Sequence, residues 1–368
     1  MTTDVTAPTR TLRAGFVGGG FMAAVHSRAS RAAGGGLAGG ASSSPERARS
    51  AADRLGLGVA FDSVDEMVAS PDIDVVHICT PNVTHAAIAR AALEAGKHVI
   101  CEKPLATTRA DAEELTELAA SRGLVTAVPF VYRFHPMARE ARARVAAGEI
   151  GRLISVQGAY LQDWLAAPLD DDWRVDSALG GPSRAFADIG SHLVDLMEFV
   201  SGDRIVRLNA SSRTVYEARA THDDIATEDL VALVVELGSG AVGTLLVSQV
   251  APGRKNALSI ELAGSDASVR FEQERPDTLW VGRVGMSTTI ERDPARISHD
   301  AARLSVVPAG HPMGYQDAFN AFVADAYATI NGGSPEGLPR FEDGLRAVRV
   351  TEAVLDSAAS GDWVEVSA

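Results

Sequence analysis

Two short stretches combine residue types that carry acid–base chemistry. In the first, Glu102 and Lys103 follow the apolar run 99–101, and Pro104 comes next. Charged side chains at the carboxyl end of a buried parallel strand lie where open α/β sheets bind their ligands. Because Pro104 restricts the backbone of Lys103, the ammonium group is presented from a stiff segment. A solvated strand end with a turn proline is the alternative interpretation.

The second stretch places Asp188, His192 and Asp195 at positions i, i+4 and i+7 of a helix predicted over 188–200. This spacing puts the three side chains on one helical face. An imidazole flanked by two carboxylates is suited to accept a proton. In the alternative interpretation, Asp188 only caps the helix and His192 is structural.

A strand–turn–helix pattern near the N-terminus predicts a dinucleotide site. A strand over 12–17 runs into Gly18-x-Gly20-x-x-Ala23, and a helix is predicted over 24–33. The first glycine permits a tight turn, and the second lets backbone N–H groups approach a pyrophosphate. The alanine keeps the helix close to the sheet, so that its amino end faces the phosphates.

The second predicted strand, 37–41, ends at Ser42 and Ser43, where an NAD-preferring site usually has Asp or Glu. No carboxylate stands at that point to repel a 2′-phosphate, and the hydroxyls together with Arg47 could accept one. A helix cap formed by Ser44 is the alternative interpretation. The choice between NAD and NADP therefore stays open.

Strands and helices continue to alternate up to residue 130. This alternation predicts an α/β domain with a parallel, doubly wound sheet. Polar residues end three of its strands, at the glycine loop, at Thr80-Pro81-Asn82 and at Glu102-Lys103, and we expect these ends to form a cofactor crevice. The further predicted strands are 75–80, 99–101 and 125–130, and the predicted helices are 64–69, 85–94 and 107–122.

After about residue 150 the pattern becomes rich in strands separated by turn signals. We predict an α+β domain with a largely antiparallel sheet that is open on one face. The predicted strands are 153–160, 205–215, 230–237, 242–250, 258–262 and 268–272, and the helices are 188–200, 315–330 and 341–359.

Composition excludes several classes of protein. The chain has 368 residues and a net charge of −14, which argues against nucleic acid or an anionic membrane as a partner. No apolar run approaches transmembrane length, and the first residues lack the apolar segment of a signal peptide. Cys79 and Cys101 lie in apolar runs and are expected to be reduced. We therefore expect a cytoplasmic protein, and we predict no metal site.

Several motifs taken together resemble the glucose–fructose oxidoreductase / inositol dehydrogenase (Gfo/Idh/MocA) family over nearly the whole chain. The glycine loop is generic, whereas the Glu102-Lys103-Pro104 triplet combined with Asp188-x-x-x-His192 is specific. Three further stretches are similar to the levoglucosan dehydrogenase branch of that family. These stretches are 130–136, 160–164 and 171–174.

The resemblance implies a fold of two domains. It predicts a disordered tail over 1–11, a Rossmann domain over 12–135 and an α+β substrate and oligomerisation domain over 136–368. The last helix is expected to pack on one domain or the other. It also implies homo-oligomers, dimeric or tetrameric, formed through the second domain's sheet.

The resemblance further implies that Lys103, Asp188 and His192 are the catalytic set of an NAD(P)-dependent enzyme. Such an enzyme oxidises a secondary hydroxyl of a sugar, anhydrosugar or cyclitol, so a proton must leave the oxygen while a hydride leaves the carbon. Whether Lys103 or His192 is the immediate base stays open. The expected cofactor contacts are Gly18, Gly20, Phe21, Met22, Ser42, Ser43, Arg47, Thr80, Pro81, Asn82, His85, Glu102 and Lys103.

Substrate contacts are expected from polar and aromatic side chains that follow the cofactor domain. Polar groups beside aromatic faces suit a polyhydroxylated ring. The alternative is that the tryptophans pack the domain interface and the arginines form surface ion pairs. The expected residues are Tyr132, Arg133, Gln162, Trp164, Arg174 and His311.

Two other functions compete with a dehydrogenase that releases its cofactor. One is a sugar–sugar oxidoreductase that keeps NADP tightly bound. The other is a dinucleotide-binding sensor without turnover, although the presence of Lys103, Asp188 and His192 argues against it.

Overall fold

The computed structural model describes residues 10–367, so most of the expected tail over 1–11 lies outside the described residues. The first sheet has six parallel strands in the order β3-β2-β1-β4-β5-β6. This arrangement confirms the doubly wound sheet. The strands are β1 Arg13–Val17, β2 Gly36–Ala41, β3 Val59–Ala60, β4 Val75–Ile78, β5 His98–Cys101 and β6 Thr126–Ala127.

Five helices connect these strands. The first begins directly after Gly20, three residues earlier than predicted, so the glycine loop is short. Strands β1, β4 and β5 are neighbours in the sheet, and their carboxyl ends therefore bring the three polar segments together. The helices are α1 Phe21–Ala32, α2 Pro45–Leu55, α3 Val64–Ala69, α4 His85–Glu94 and α5 Arg109–Arg122.

The second sheet has nine strands in the order β14-β13-β12-β11-β7-β10-β9-β8-β15. All neighbouring pairs are antiparallel except β7 and β10, which confirms the largely antiparallel sheet. Three of these strands, β13, β14 and β15, were not predicted. The strands are β7 Leu153–Leu161, β8 Ile205–Arg213, β9 Leu230–Leu237, β10 Val242–Ser248, β11 Ala257–Gly264, β12 Ser268–Glu272, β13 Thr278–Arg283, β14 Met286–Glu291 and β15 Val364–Glu365.

Helices cover one face of this sheet and leave the other open. Along β9 and β10, Val235 and Leu245 are buried while Val234 and Leu246 are exposed, as expected for side chains that alternate between two faces. Within residues 10–367, no helix is both long and apolar enough to cross a membrane. The helices of this half are α6 Pro136–Ala146, α7 Ser177–Gly180, α8 Ser191–Ser201, α9 His299–Leu304, α10 Tyr315–Ile330 and α11 Phe341–Ser360.

The last two helices join the two halves of the molecule. Leu345 and Val348 of α11 pack in the core of the first domain, whereas Val350 and Val354 pack under the second sheet. Helix α10 packs against α1 through Phe319. The chain therefore returns to the first domain through α10 and α11 before its last strand, β15, joins the second sheet. The division at residues 135 and 136 remains a prediction.

Candidate active site

A cavity of about 910 Å³ lies at the carboxyl ends of β1, β4 and β5 and is closed by the second sheet and α8. It brings together every predicted cofactor and catalytic residue and half of the predicted substrate residues. From the substrate set it contains Tyr132, Gln162 and Arg174. The remaining lining residues are Gly19, Cys79, Thr84, Pro129, Tyr160, Asp172, Trp173, Ile189, Asn256 and Tyr315.

The glycine loop has the shape that a dinucleotide pyrophosphate requires. Gly18 has a φ of 99°, and a Cβ there would lie 2.6 Å from the carbonyl oxygen of Cys79, so only glycine fits. A Cβ at Gly20 would meet open space, which leaves the backbone approachable. No side chain caps the N-terminus of α1, so its N–H groups are available to an anion.

The far end of the cavity is lined by Ser42, Ser43 and Arg47. Arg47 donates from Nη1 to Oγ of Ser43 at 3.0 Å, which holds the guanidinium at this end. Oγ of Ser44 accepts from the backbone N–H of Arg47 and so caps α2, which is the helix cap considered as the alternative in the sequence analysis. Among the described residues that line this end there is no carboxylate, so the choice between NAD and NADP stays open.

His85 ties two strand ends together beneath the cavity. Its Nε2 lies 2.9 Å from the carbonyl oxygen of Thr80, and its Nδ1 lies 2.7 Å from that of Pro104. Burial lowers the pKa of this imidazole. Asn82 donates to the carbonyl oxygen of Gly180 at 2.9 Å, and so fixes the loop after β4 against α7.

Lys103 is clamped by Asp188. Its Nζ donates to the backbone oxygen of Asp188 at 2.9 Å and also forms an ion pair with Oδ1. Arg174 approaches the same oxygen at 3.7 Å, and Gln249 donates to Oδ2 at 2.8 Å. Burial alone would raise the pKa of Asp188, but the positive charges of Lys103 and Arg174 lower it to about 2. The carboxylate is therefore ionised, and the lysine is held in a defined position.

His192 is a neutral imidazole in the same cavity. Its ring packs edge-on against Phe130 and Tyr132, at centroid distances of 5.6 and 5.1 Å. Burial, reinforced by the positive charge of Lys103, lowers its pKa to about 3. Its Nδ1 is buried and has no hydrogen-bond partner within residues 10–367. Because Nδ1 is closed off, a group in the cavity can reach the ring nitrogens only at Nε2.

The expectation of two carboxylates flanking His192 was wrong. Asp188 lies in a π-helical turn, Phe186–Gly190, before α8 begins at Ser191, so it is not the N-cap of a regular helix. The wider turn changes the angular spacing along the chain. Asp195 instead accepts from Nε of Arg133 at 2.8 Å, away from the cavity.

Arg133, which was expected to contact the substrate, also lies outside the cavity. Its guanidinium binds Asp195 and, at 2.7 Å, Oδ1 of Asp343 in α11. Burial alone would lower the pKa of Arg133, but the two carboxylates raise it. The residue lines a separate polar cavity of about 320 Å³ behind α8, where it joins the two domains.

The turn Val131–Phe134 and the second sheet together supply a hydrogen-bonded wall of the cavity that also contains Lys103. The hydroxyl groups of Tyr132 and Tyr160 lie 2.5 Å apart, and Tyr160 donates to Oδ1 of Asn256 at 2.6 Å. Gln162 donates to the same oxygen at 2.8 Å. Sequence reasoning missed Tyr160 and Asn256 as site residues: the first ends a predicted strand, and the second lies in a loop with no motif.

Trp164 and His311 are not among the residues that line the cavity. Trp164 donates from Nε1 to Oε1 of Gln162 at 2.8 Å and is partly exposed beside the wall. The carbonyl of His311 accepts from Arg292, and its side chain is exposed in the turn before α10. The tryptophan that does reach the cavity is Trp173, under which the guanidinium of Arg174 packs at 4.5 Å.

A parallel sheet with a pyrophosphate loop that opens toward Lys103, Asp188 and His192 defines the class of nicotinamide-dependent oxidoreductases. No group of His, Cys, Asp and Glu in the described part of the chain could hold a metal ion.

Comparisons with known proteins establish the family. Residues 12–130 match the model of the Gfo/Idh/MocA oxidoreductases with an NAD-binding Rossmann fold, and residues 138–270 match the model of the Gfo/Idh/MocA C-terminal domain. The chain belongs to this family, and its N-terminal domain binds NAD-type cofactors.

Similar proteins act on cyclic polyols. Levoglucosan dehydrogenase of Pseudarthrobacter phenanthrenivorans is 32% identical over 96% of this chain and 98% of that protein. The solved structure of levoglucosan dehydrogenase with NADH and levoglucosan has a TM-score of 0.91 and 33% identity, covering 98% of this chain and all of that one. An inositol dehydrogenase homologue from Azotobacter vinelandii, complexed with NADH and myo-inositol, has a TM-score of 0.86 at 31% identity, covering 97% and 98%. The chain is therefore an enzyme of the sugar and polyol dehydrogenase type.

Proposed function

We propose that the protein oxidises a secondary hydroxyl of a sugar, anhydrosugar or cyclitol and passes the hydride to NAD⁺ or NADP⁺. The observation that carries this proposal is the placement of a clamped ammonium, Lys103, and a neutral imidazole, His192, in one cavity with the glycine loop. Alcohol oxidation needs both a group that polarises the hydroxyl oxygen and a group that takes its proton.

The charge states favour a division of these roles. Lys103 is paired with an ionised carboxylate, so it is suited to orient the hydroxyl and stabilise negative charge that develops on oxygen. His192 is neutral, so one of its ring nitrogens has a lone pair that can accept the proton. Asp188 fixes the position of the lysine through a charge-assisted hydrogen bond. The nicotinamide, when bound, supplies the hydride acceptor.

The wall of Tyr132, Tyr160, Gln162 and Asn256 supports a polyhydroxylated substrate. Its hydroxyl and amide groups can each donate and accept, which matches the hydroxyl groups of a pyranose or cyclitol ring. Two similar structures were solved with levoglucosan and myo-inositol. We place the substrate between this wall and Lys103.

The test is the absorbance at 340 nm of the purified chain with NAD⁺, and separately with NADP⁺, over a panel of monosaccharides, anhydrosugars and inositols. We expect a rate with at least one anhydrosugar, pyranose or inositol. If no member of the panel gave a rate although dinucleotide binding was demonstrated, the proposal would be contradicted. NADP that copurifies with the chain would instead favour the sugar–sugar oxidoreductase.

We also propose that chains associate through the open face of the second sheet. Val234, Val242 and Leu246 are exposed there, beside a groove of about 610 Å³. Exposed apolar patches of this kind support association. Sedimentation velocity should show a dimer or tetramer, and Leu246→Glu should weaken this association.

We further propose a cytoplasmic location, which the two unpaired cysteines, Cys79 and Cys101, support.

A further inference from the structure

A chain of buried polar side chains runs from the catalytic cavity into the core of the first domain. Nε2 of His26 lies 3.0 Å from Oε1 of Glu102, and Nδ1 of His26 lies 2.9 Å from Nδ1 of His77. Nε2 of His77 lies 2.9 Å from the hydroxyl of Tyr327, which contacts Oγ of Ser30 at 2.8 Å. Every member is buried.

The surroundings of this chain are apolar. The ring of His77 stacks on Phe16 at 4.8 Å, and the ring of His26 packs edge-on against Phe319 at 4.7 Å. Burying two imidazoles among such residues costs free energy unless their nitrogens are hydrogen-bonded. Well-packed apolar side chains would stabilise a core at least as well. Stability of the core therefore does not explain this polar chain, and we look for its role at the end that meets the cavity.

The positions of the hydrogens follow from the charge of Glu102. Burial alone would raise its pKa, but the hydrogen bond from His26 and the charge of Lys103 hold the pKa below its usual value, so Glu102 is a carboxylate. A bare ring nitrogen facing a carboxylate would be repelled, so Nε2 of His26 carries a hydrogen and donates it. A neutral His26 that donates from Nε2 has a bare Nδ1, so Nδ1 of His77 carries the shared hydrogen and donates it, and Nε2 of His77 accepts from the hydroxyl of Tyr327.

Both oxygens of Glu102 are held. Oε1 accepts from His26, and Oε2 accepts from the backbone N–H of Lys103 at 3.2 Å. The carboxylate is 7% exposed, and it lines the cavity beside Lys103. It is thus a fixed negative charge at the end of the cavity where His192 and Lys103 meet the substrate.

The nicotinamide must also react at this end, because hydride passes directly between it and the substrate carbon. Its oxidised form carries a positive charge, and its reduced form is neutral. A fixed anion in a site of low dielectric constant stabilises a nearby cation and has little effect on a neutral ring.

We propose that His26, His77 and Tyr327 are positioning residues that hold Glu102 as a fixed anion, and that this anion favours the oxidised cofactor over the reduced one. The inference rests on the part of the proposed function that places the nicotinamide beside Lys103. It concerns the balance of binding between the two forms of the cofactor, which does not depend on the identity of the sugar.

The test compares three dissociation constants on the full-length chain. Fluorescence titration gives the Kd of NADH, and displacement of NADH gives those of NAD⁺ and of ADP-ribose, which lacks the nicotinamide. In Glu102→Gln we expect the ratio of the NAD⁺ Kd to the NADH Kd to rise about tenfold. The Kd of ADP-ribose should stay within about twofold of the wild-type value, because that ligand does not reach Glu102.

His26→Phe keeps an aromatic ring and removes the donor, and should shift the same ratio in the same direction by about threefold. Tyr327→Phe removes only the hydroxyl at the far end, and should give a smaller shift of about twofold in that direction. Because it is so mild, this variant keeps the test available if His26→Phe fails to fold. The control is Phe319→Leu, which disturbs packing against His26 without removing a hydrogen bond and should leave the ratio unchanged.

If Glu102→Gln weakened the binding of NAD⁺ and the binding of NADH equally, the proposed role of the anion would be overturned. A shift in Glu102→Gln that neither His26→Phe nor Tyr327→Phe shares would overturn the role of the positioning chain. If the shifts occur but the wild-type chain oxidises no member of the sugar and cyclitol panel, the proposed substrate class fails while the inference about the cofactor is supported.

Discussion

Gln249 donates a hydrogen bond from Nε2 to Oδ2 of Asp188 at 2.8 Å, on the carboxylate oxygen that Lys103 does not use. Gln249 is fully buried, and its own Oε1 faces Arg184. The carboxylate of Asp188 is therefore held from both sides, by the ammonium of Lys103 and by a neutral amide. Gln249 lies outside the motifs that carry the family resemblance.

Gln249→Glu should make the activity fall as the pH rises. Asp188 has a pKa of about 2 in the wild type, so it stays ionised from pH 5 to pH 8. The introduced carboxyl lies beside this carboxylate, which raises the pKa of the new group, so that it takes up a proton at low pH and then donates to Asp188 as Gln249 does. We expect kcat/KM to stay near the wild-type value at pH 5.5 and to fall roughly tenfold at pH 8, where both carboxylates are ionised. Asn331→Asp, the same change at an exposed amide, should keep the wild-type pH profile.

Lys103→Met should remove turnover and spare cofactor binding. The ammonium orients the hydroxyl and stabilises charge on oxygen, so kcat should fall by about a thousandfold. The Kd of NADH, measured by fluorescence, should change by less than about fivefold, since the glycine loop is untouched. Lys97→Met, at the amino end of β5, is the matched control and should keep kcat. A loss of NADH binding that fully accounts for the lost rate would contradict the catalytic role.

The Ser42–Arg47 end of the cavity should accept a 2′-phosphate. We expect NADP⁺ to bind within about tenfold of NAD⁺, because no carboxylate repels the phosphate there. Ser42→Asp should weaken NADP⁺ binding by at least about tenfold through like-charge repulsion and leave NAD⁺ nearly unchanged. Isothermal titration with both dinucleotides measures this difference. Ser50→Asp, further along α2, is the control, and an equal effect of the two variants would refute the assignment.

Arg133→Met should destabilise the protein without changing substrate recognition. Removing the guanidinium leaves Asp195 buried without its partner, which costs about 3 kcal/mol in the free energy of unfolding. The KM of the best substrate should stay within about twofold, since Arg133 lies outside the cavity. Arg174→Met provides the contrast, because Arg174 lines the cavity and approaches Asp188. If Arg133→Met raised the KM and left the stability unchanged, Arg133 would be a substrate contact, as the sequence predicted.

His135→Phe should flatten the dependence of stability on pH. Burial lowers the pKa of His135 to about 4, against an ordinary value of 6.5. Between these two values the unfolded chain binds the proton and the folded chain does not, so this histidine makes stability fall as the pH falls. The wild type should lose about 2 kcal/mol more than the variant between pH 7.5 and pH 5 in urea unfolding. The exposed His311, changed to Phe, should keep the wild-type slope.

Much of the site could be predicted because local patterns encode strand ends. The glycine loop, Thr80-Pro81-Asn82 and Glu102-Lys103 each follow an apolar run, and a doubly wound sheet aligns such ends at one edge. Asp188 and His192 could be predicted by their spacing and by the family resemblance. Their assembly in one cavity with the glycine loop agrees with these predictions, while their roles in catalysis remain proposals.

Other residues could not be placed by such patterns. Asp195 follows the helical spacing, but its carboxylate binds Arg133, a partner from outside the helix that the spacing does not reveal. Tyr160 and Asn256 reach the cavity, and Gln249 reaches Asp188, only through pairing and turns in the second sheet.

The sequence by itself determined the class of fold, the glycine loop and the identity of the acid–base groups, because these depend on hydrophobic periodicity and on residue types within a few positions. Only the tertiary structure decided which charges meet. The ion pair of Lys103 with Asp188, the pairing of Arg133 with Asp195 and the link from Glu102 through His26 and His77 to Tyr327 join residues 51 to 250 positions apart. Such contacts depend on how two domains and a returning C-terminal helix pack, and no local pattern contains that information.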